Sequence, residues 1–286
     1  MSMNESTLGP TIEARVISND RITPENTDEI RQLTLQINDP SFRYVEGQSI
    51  GVVVPGPHPF GNPYHLRRYS IAKDLGMNAS GSSEFSIMVR RCFYVDEMNG
   101  EKYSGIASHY LCDSDIGKSI TLNGPFKNPF KVPADSTDNI VMISTGTGIA
   151  PFRTFIQQLM GEKGEWQGDV RIFYGAKTGM DLLYMNDEEK DKTNYFDEKT
   201  FKAYRNLVNR PLDDESDALE QTIEENAREI WALIQQPNTH VFIAGLKKVS
   251  DIFESKLAEL NGSTEHWEEM KHKLKKENRY SELMYY

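Results

Sequence analysis

Residues 140–153 read IVMISTGTGIAPFR, and this stretch decides the fold of the second half of the chain. An apolar strand runs directly into two glycines and then into a helix. Glycine lets the backbone approach a pyrophosphate closely, and a helix N-terminus favours its negative charge. Pro151 suits the first helical turn, where its missing N–H costs nothing. Since Pro151 stands where the GxGxxG fingerprint has its third glycine, the pattern predicts a nucleotide site of another kind, with an ordinary strand–helix turn as the alternative.

Strands and helices alternate on either side of this stretch. Apolar runs predict strands at 140–143, 170–174, 201–208 and 241–244, and helical spacing predicts helices at 151–160, 216–235, 247–260 and 264–277. A charged helical stretch precedes residue 201, and a short aromatic tail follows the last helix. This alternation is typical of a parallel sheet, in which ligands sit at the carboxyl ends of the strands. We therefore expect an α/β, Rossmann-like domain over residues 135–286.

The first half of the chain has a different pattern. Apolar and polar residues alternate in short segments separated by Pro, Gly, Asn and Asp, namely 12–18, 29–37, 49–54, 84–90 and 119–122. Residues 106–112, IASHYLC, have helical spacing instead. Short strands with turn signals between them predict an antiparallel barrel or sandwich over residues 1–134. The polar stretch 132–139 marks the expected boundary between the two domains.

Composition excludes several classes of protein. The chain has 286 residues, 32 Lys and Arg and 43 Asp and Glu, so its formal net charge is −11, which argues against a protein that wraps nucleic acid. No apolar stretch approaches the roughly 20 residues of a membrane span. The N-terminal residues lack the pattern of a secretory signal, so we expect a cytoplasmic protein. Two cysteines, Cys92 and Cys112, cannot hold a four-thiolate cluster, and we expect both to be buried and reduced.

Two shorter motifs in the first half contain groups that suit a phosphate. Arg67 and Tyr69 share one face of a predicted strand, where a guanidinium can bind a phosphate beside a stacked aromatic ring. Ser70 is expected to project from the opposite face. Gly105 opens a short helix whose free N–H groups suit an anion, and Ser108 adds a hydroxyl. Each motif alone is also common in exposed strands and helix starts, so the alternative at each is a structural role.

Longer motifs in both halves extend these observations, namely YVEGQSIGVVVP at 44–55, Gly61, HLRRYSIA at 65–72, TGTGIAPFRTF at 145–155, YG at 174–175, DLLY at 181–184 and AGL at 244–246. Together they resemble the plant-type ferredoxin–NADP(+) reductase family. The resemblance covers about residues 12–286 and implies an antiparallel β-barrel that binds FAD, followed by an α/β domain that binds NADP(H).

The resemblance implies a set of roles in the flavin site. They are Arg67 at the FAD pyrophosphate, Tyr69 packed on the isoalloxazine, Ser70 near flavin N5, the turn with Gly105, Ala107 and Ser108 on the other side of the pyrophosphate, and Tyr94 stacked on the adenine. In the nucleotide site, Gly146, Thr147 and Gly148 are expected to receive the pyrophosphate, and Pro151, Gly245 and Leu246 complete the binding residues. The family's C-terminal aromatic shields the flavin until nicotinamide displaces it, and Tyr286 is its candidate here.

This sequence departs from the family at the 2′-phosphate. Arg210 follows Asn209 in the place of the family's Ser-Arg pair, and the Lys-x-Tyr that follows it is missing. Its region carries carboxylates instead, at Asp213, Asp214, Glu215 and Asp217. Carboxylates there would repel a 2′-phosphate and accept a hydrogen bond from a 2′-hydroxyl. NADP(H) remains the expected nucleotide, and NADH is the alternative. For Arg210 we expect a contact with the 2′-phosphate, and the alternative is an ordinary solvated surface arginine.

The C-terminal tail departs as well. Glu282, the candidate proton relay, lies one position early relative to the family's pattern, and the chain ends in two tyrosines, so Tyr285 is an alternative to Tyr286. The family's cysteine before Gly-Leu is Ala244 here.

The resemblance implies ferredoxin or flavodoxin as a separate electron carrier of a monomeric enzyme, and basic residues near the motifs suit an acidic partner. One competing hypothesis is an NADH-preferring flavin reductase that serves a small acceptor or an oxygenase component. A second is a flavoprotein fold kept as a binding module without turnover.

Overall fold

The computed structural model describes residues 8–44, 47–58, 61–78, 80–95, 100–161, 166–177, 201–208, 214–260 and 262–285. The chain forms two compact units, Met1–Asn128 and Pro129–Tyr286. Each unit is described separately below. None of the helices in the described ranges is long and apolar enough to cross a membrane.

The first unit is a closed antiparallel barrel, which is one of the two architectures, barrel or sandwich, that the sequence predicts. Its strands are ordered β1-β2-β5-β4-β3-β8 around the barrel. Their bounds are Thr11–Arg21 for β1, Ile30–Ile37 for β2, Ser49–His58 for β3, Asn62–Met77 for β4, Ser83–Arg90 for β5 and Ser119–Phe126 for β8. Alternate residues of these strands fill the barrel with Val, Leu, Ile and Phe side chains.

A short helix packs on the barrel core. Helix α1, Ile106–Cys112, buries Ala107, Leu111 and Cys112 against it. The amide Nδ2 of Asn19 on β1 donates to the carbonyls of Leu111 and Cys112, both at 3.1 Å, and to that of Ser114 at 2.8 Å. The two amide hydrogens are shared among these three carbonyls, and the contacts tie the C-terminal end of α1 to β1.

Two very short strands precede α1. Strand β6, Phe93–Val95, pairs antiparallel with β7, Lys102–Ser104, so that Tyr94 lies directly opposite Tyr103. Segments of three residues are too short to show an alternation, and the sequence pattern therefore did not predict this two-stranded sheet.

The second unit contains a five-stranded parallel sheet of order β11-β10-β9-β12-β13. The strands are Asn139–Thr145 for β9, Val170–Lys177 for β10, Phe201–Val208 for β11, Thr239–Leu246 for β12 and Tyr280–Tyr285 for β13. The helices are Ala150–Gly161 for α2, Glu215–Ile234 for α3, Lys247–Leu260 for α4 and Thr264–Lys276 for α5. The expected α/β parallel-sheet architecture is confirmed.

The central strands of this sheet are buried on both faces. On one face, Val141, Ile143 and Ile243 pack against the apolar sides of α3, α4 and α5. On the other, Phe242 packs against Phe155 with ring centroids 4.8 Å apart, next to Phe130 and Phe152. Helices on both faces are what a parallel sheet requires, and they leave its strand ends available for ligands.

One strand was not assigned from the sequence pattern, and one expectation needs correction. The aromatic tail forms β13, which pairs with β12 at the edge of the sheet. Cys112 is buried as expected, but Cys92 is exposed. The expected charged helical stretch before residue 201 lies outside the described residues.

Candidate functional site

The glycine-rich turn of the second unit lies at the carboxyl end of the central strand. Strand β9 ends at Thr145, residues Gly146–Ile149 form a 3₁₀ turn, and α2 begins at Ala150 with Pro151 in its first turn. The Thr145 side chain makes no capping hydrogen bond to the turn, and Thr147 is partly exposed. The turn therefore keeps the features that suit an anion, namely uncapped N–H groups at a helix start beside small residues.

The two glycines of this turn have different structural reasons, a positive φ at Gly146 and a close backbone contact at Gly148. Gly146 has φ +49°, and a Cβ there would lie 2.8 Å from the carboxylate oxygens of Glu215. A Cβ on Gly148 would lie 2.6 Å from Ser144 Oγ and 2.7 Å from the Ala244 carbonyl oxygen. Real Cβ atoms do not approach that closely, so only glycine lets the turn lie directly against the ends of β9 and β12.

The start of α3 packs on the same edge of the sheet. A Cβ on Gly175 of β10 would lie 2.4 Å from the Glu215 carbonyl oxygen and from the Leu219 nitrogen. The Tyr174 hydroxyl donates to the Gly146 carbonyl at 2.8 Å, which ties β10 to the glycine-rich turn. The helix start and the turn thus form one packed arrangement at the strand ends.

The carboxylates at the start of α3 have structural partners. Asp214 accepts from the Ser216 N–H at 3.0 Å, and Asp217 accepts from the Asp214 N–H at 3.3 Å, which forms a capping box. Lys248 lies 3.1 Å from Asp214. Burial acts to raise the pKa of Asp214, but the hydrogen bonds from Ser216 and Lys248 outweigh it and the pKa is lowered. Asp213 and Arg210 lie outside the described residues.

In the first unit, the expected flavin residues lie on β4. Arg67 is opposite Val52 of β3 and is exposed, whereas Tyr69 is opposite Ile50 and packs against the barrel core. Burial raises the pKa of the Tyr69 hydroxyl, so it stays a neutral donor at physiological pH. Ser70 is buried. An exposed guanidinium two residues from a neutral, rigid ring is the donor set that the sequence predicts for a phosphate next to a flat ring system.

The Ser108 hydroxyl has two hydrogen-bond partners within its own unit. Its hydroxyl donates to the Gly105 carbonyl at 3.1 Å and accepts from the Cys92 N–H at 3.1 Å. The Gly105 N–H in turn donates to the Cys92 carbonyl at 2.8 Å. Ser108 therefore links α1 to the segment before β6, and the backbone N–H groups that begin α1 are the remaining donors for an anion. Gly105 has no side chain to cap them.

Tyr94 is the most exposed aromatic side chain of β6, with 59% of its surface accessible. Its ring stacks on that of Tyr103 with centroids 5.1 Å apart and an interplanar angle of 17°. Tyr103 was not singled out by the sequence analysis. The signal that would have found it is an aromatic residue at the cross-strand position of a hairpin, which needs the register of the two strands.

The tail places Glu282 among polar partners. Its Oε1 accepts from Ser250 Oγ of α4 at 2.6 Å, and its Oε2 lies 3.0 Å from Lys275 Nζ of α5. Burial acts to raise the pKa of Glu282, but these two partners outweigh it and the pKa is lowered. Successive strand residues project to opposite faces, so Tyr285 and Glu282 lie on opposite faces of β13. Tyr285 is in register with Leu246, and Tyr286 lies outside the described residues.

Several basic residues expected to attract an acidic partner are paired within their own unit. Arg90 lies 2.5 Å from Asp28, and Arg91 lies 2.8 Å from Glu29. Lys247 lies 2.8 Å from Asp251. Within the described ranges, no cluster of three or more His, Cys, Asp or Glu side chains is placed to hold a metal ion.

Comparison with known proteins identifies the family to which the chain is similar. Residues 142–254 match the family model described as Oxidoreductase NAD-binding domain. The ferredoxin–NADP reductase of Spirulina sp. is 31% identical over 273 residues, which cover 93% of this chain and 92% of that protein. The ferredoxin–NADP reductase of Picosynechococcus sp. is 33% identical over 261 residues, and the match covers 90% of this chain and 65% of that protein.

A solved structure shares the fold along the whole chain. The ferredoxin-NADP+ reductase from Plasmodium falciparum aligns with a TM-score of 0.72 and 21% identity, covering 100% of both chains. A structure of the Plasmodium enzyme with 2′P-AMP aligns with a TM-score of 0.68 and 20% identity, covering 99% of each chain.

An antiparallel barrel followed by a parallel-sheet unit with a glycine-rich turn at its strand ends defines a two-unit oxidoreductase of the pyridine-nucleotide-binding class. Within that class, the chain belongs to the ferredoxin–NADP reductase family.

Proposed function

We propose that this protein is an FAD-dependent ferredoxin–NADP(+) reductase. It exchanges a hydride between NADP(H) and flavin N5 and exchanges single electrons with ferredoxin or flavodoxin, a separate carrier protein. The observation that carries the proposal is the turn 146–148. Gly146 has a positive φ, Gly148 lies too close to the Ala244 backbone for a side chain, and the turn leaves N–H groups at the start of a helix. We also propose that the protein is cytoplasmic and monomeric.

The residues of the first unit fit FAD by the chemistry of their donors. Arg67 would bind the pyrophosphate from β4, and the N–H groups after Gly105 would bind it from α1. Tyr69 would hold the isoalloxazine with its ring, because core packing fixes that ring in place. Ser70 would lie near N5, and Tyr94 would stack on the adenine. When bound, FAD supplies the hydride and electron chemistry, and the protein supplies binding and orientation.

In the second unit, Gly146, Thr147 and Gly148 would bind the NADP(H) pyrophosphate, with Pro151, Gly245 and Leu246 next to the nucleotide. The tail tyrosine, Tyr286 or Tyr285, would cover the flavin until nicotinamide displaces it. For Glu282 we propose a positioning role in the tail strand in place of a proton relay. A relay needs a carboxyl that titrates near the working pH, and the partners of Glu282 hold its pKa low.

NADH is the second candidate for the nucleotide. The start of α3 has carboxylates where the family has Lys-x-Tyr. Lys248 lies beside these carboxylates, and its ammonium group is paired with Asp214. This observation favours a free 2′-hydroxyl, whereas Arg210 favours a 2′-phosphate. An NADH-preferring reductase would serve a small acceptor or an oxygenase component.

Nucleotide-resolved flavin reduction tests the proposal. The holoprotein is mixed with NADPH or NADH in a stopped-flow instrument, and bleaching of the oxidised flavin is followed. We expect faster reduction by NADPH, and we expect electrons to pass to an added ferredoxin. Faster reduction by NADH would replace the nucleotide assignment, and a protein that stays colourless with added FAD would overturn the function itself.

A further inference from the structure

The short sheet of β6 and β7 has two faces with different surroundings. On one face, Phe93 contacts the edge of the His109 ring of α1 at 4.7 Å, and Lys102 Nζ lies 3.9 Å above the Phe93 ring. On the other face, Tyr94 and Tyr103 stack on each other. Since the first face is the one that packs on α1, the tyrosine pair points away from the helix.

The geometry of the pair leaves one ring face open. Tyr103 covers one face of Tyr94, with an interplanar angle of 17°, and yet 59% of Tyr94 and 37% of Tyr103 remain accessible. The cross-strand register places Tyr103 directly opposite Tyr94 and so holds the two rings side by side, while the Tyr103 hydroxyl donates to Glu101 Oε2 at 2.5 Å at the exposed end of the ring. A large aromatic surface held still and exposed is a platform for another flat ring, since stacking on a fixed ring costs less conformational entropy.

We propose that Tyr103 is a positioning residue for the flavin cofactor, which braces the Tyr94 ring from behind so that the adenine of FAD stacks on the opposite face of Tyr94. This inference rests on the proposed function, because it assumes that FAD binds and that Tyr94 contacts its adenine. Tyr103 lies outside the family motifs and is added here to the proposed FAD-binding residues. Its effect is confined to the adenine half of the cofactor.

The restriction to the adenine half gives a direct test. FMN has the same isoalloxazine, ribityl chain and first phosphate as FAD but no adenine. The flavin-stripped full-length chain is titrated with FAD and, separately, with FMN. We expect Tyr103→Ala to weaken FAD binding about two- to tenfold, the range expected for loss of one aromatic pair, and to leave FMN binding within about twofold of the wild type. Tyr94→Ala is expected to weaken FAD binding roughly tenfold or more.

Two further variants separate bracing from other roles. Tyr103→Phe keeps the ring and loses the bond to Glu101, and we expect it to bind FAD within about twofold of the wild type. If Tyr103 acts through Tyr94, Tyr103→Ala in the Tyr94→Ala background changes FAD affinity by less than about twofold.

The outcomes are distinguishable. Unchanged FAD affinity in Tyr103→Ala, equal loss of FAD and FMN affinity, or full additivity with Tyr94→Ala would each overturn the positioning role while leaving the proposed function standing. A wild-type chain that binds neither flavin would overturn both.

Discussion

The Ser250 hydroxyl donates a hydrogen bond of 2.6 Å to Oε1 of Glu282 and so joins the last strand of the sheet to α4. Lys275 binds the other carboxylate oxygen and joins the same strand to α5. Strand β13 pairs with a single neighbour, β12, in the described sheet. Its attachment therefore depends on side-chain contacts more than that of a central strand does.

Glu282→Gln keeps one acceptor oxygen but removes the charge that strengthens the contacts with Ser250 and Lys275. We therefore expect it to lower the free energy of unfolding by about 1–2 kcal/mol. Ser250→Ala removes the hydroxyl that contacts Glu282 at 2.6 Å and Glu254 at 3.0 Å, and it is the comparison variant. Both variants are expected to slow flavin reduction by NADPH to a similar, small extent. A large loss of rate in Glu282→Gln, with Ser250→Ala close to wild type, would instead support the proton relay.

Arg67 and Arg68 are adjacent on β4 but have different environments. Both side chains are exposed, but the Arg68 guanidinium lies 3.8 Å above the Phe126 ring, whereas Arg67 lies on the strand face shared with Tyr69. We expect Arg67→Ala to weaken FAD binding roughly tenfold or more, as for loss of charge-assisted hydrogen bonds, and Arg68→Ala to change it less than about threefold. The flavin content of the purified variants measures this. Full yellow colour in Arg67→Ala would refute the pyrophosphate role.

Gly148 offers a test of the nucleotide turn. A methyl group there would meet Ser144 Oγ and the Ala244 carbonyl, so Gly148→Ala must move the turn. We expect NADP+ affinity to fall about tenfold or more and the free energy of unfolding to fall by about 1–3 kcal/mol, with flavin content unchanged. Ile230→Val, a core change in α3, is a control for stability loss alone. Wild-type NADP+ affinity in Gly148→Ala would place the pyrophosphate elsewhere.

The ion pair of Glu29 and Arg91 predicts a pH dependence. Chiefly through the hydrogen bond from Arg91, the pKa of Glu29 falls from 4.5 to about 2. A carboxyl whose pKa is lower in the folded chain stabilises the fold above about pH 4.5, and this contribution is lost as the pH falls towards 2. We expect Glu29→Gln to cost about 1–2 kcal/mol at pH 7 and progressively less below pH 4.5. Urea denaturation at a series of pH values, with exposed Glu25→Gln as the control, checks this. A pH-independent difference would contradict it.

The tail tyrosines predict an effect on nucleotide affinity. If Tyr286 covers the flavin, its deletion leaves less to displace, and we expect tighter binding of the nicotinamide nucleotide to the holoprotein. Tyr285→Ser is the companion variant. Tightening in Tyr285→Ser alone would transfer the shielding role to Tyr285.

Much of the architecture followed from periodicity. The predicted strand 201–208 and helix 247–260 agree with β11 and α4 residue for residue. Strand β13 was missed because its sequence, YSELMY, lacks alternation and its strand conformation is set by pairing with β12. Strands β6 and β7 were missed because three residues cannot show a period.

The sequence indicated which residues belong to the candidate site, but it did not indicate which residues contact one another there. The glycine-rich turn was recognised from its order, but the reason for Gly148 lies in Ala244, far along the chain. The engagement of Ser108 with Gly105 and Cys92, and of Glu282 with Ser250, also depends on tertiary packing. Such pairings are invisible to spacing rules, which report only which residues share a face.

The two cysteines differ in a way that is useful at the bench. Burial raises the pKa of the Cys112 thiol to about 11, so little of it is thiolate at neutral pH, while Cys92 is exposed two residues before Tyr94. A maleimide dye would therefore label the native protein selectively at Cys92. The wild-type chain thus offers a built-in attachment point for a fluorescent reporter beside the tyrosine pair, from which cofactor binding and release can be followed in real time.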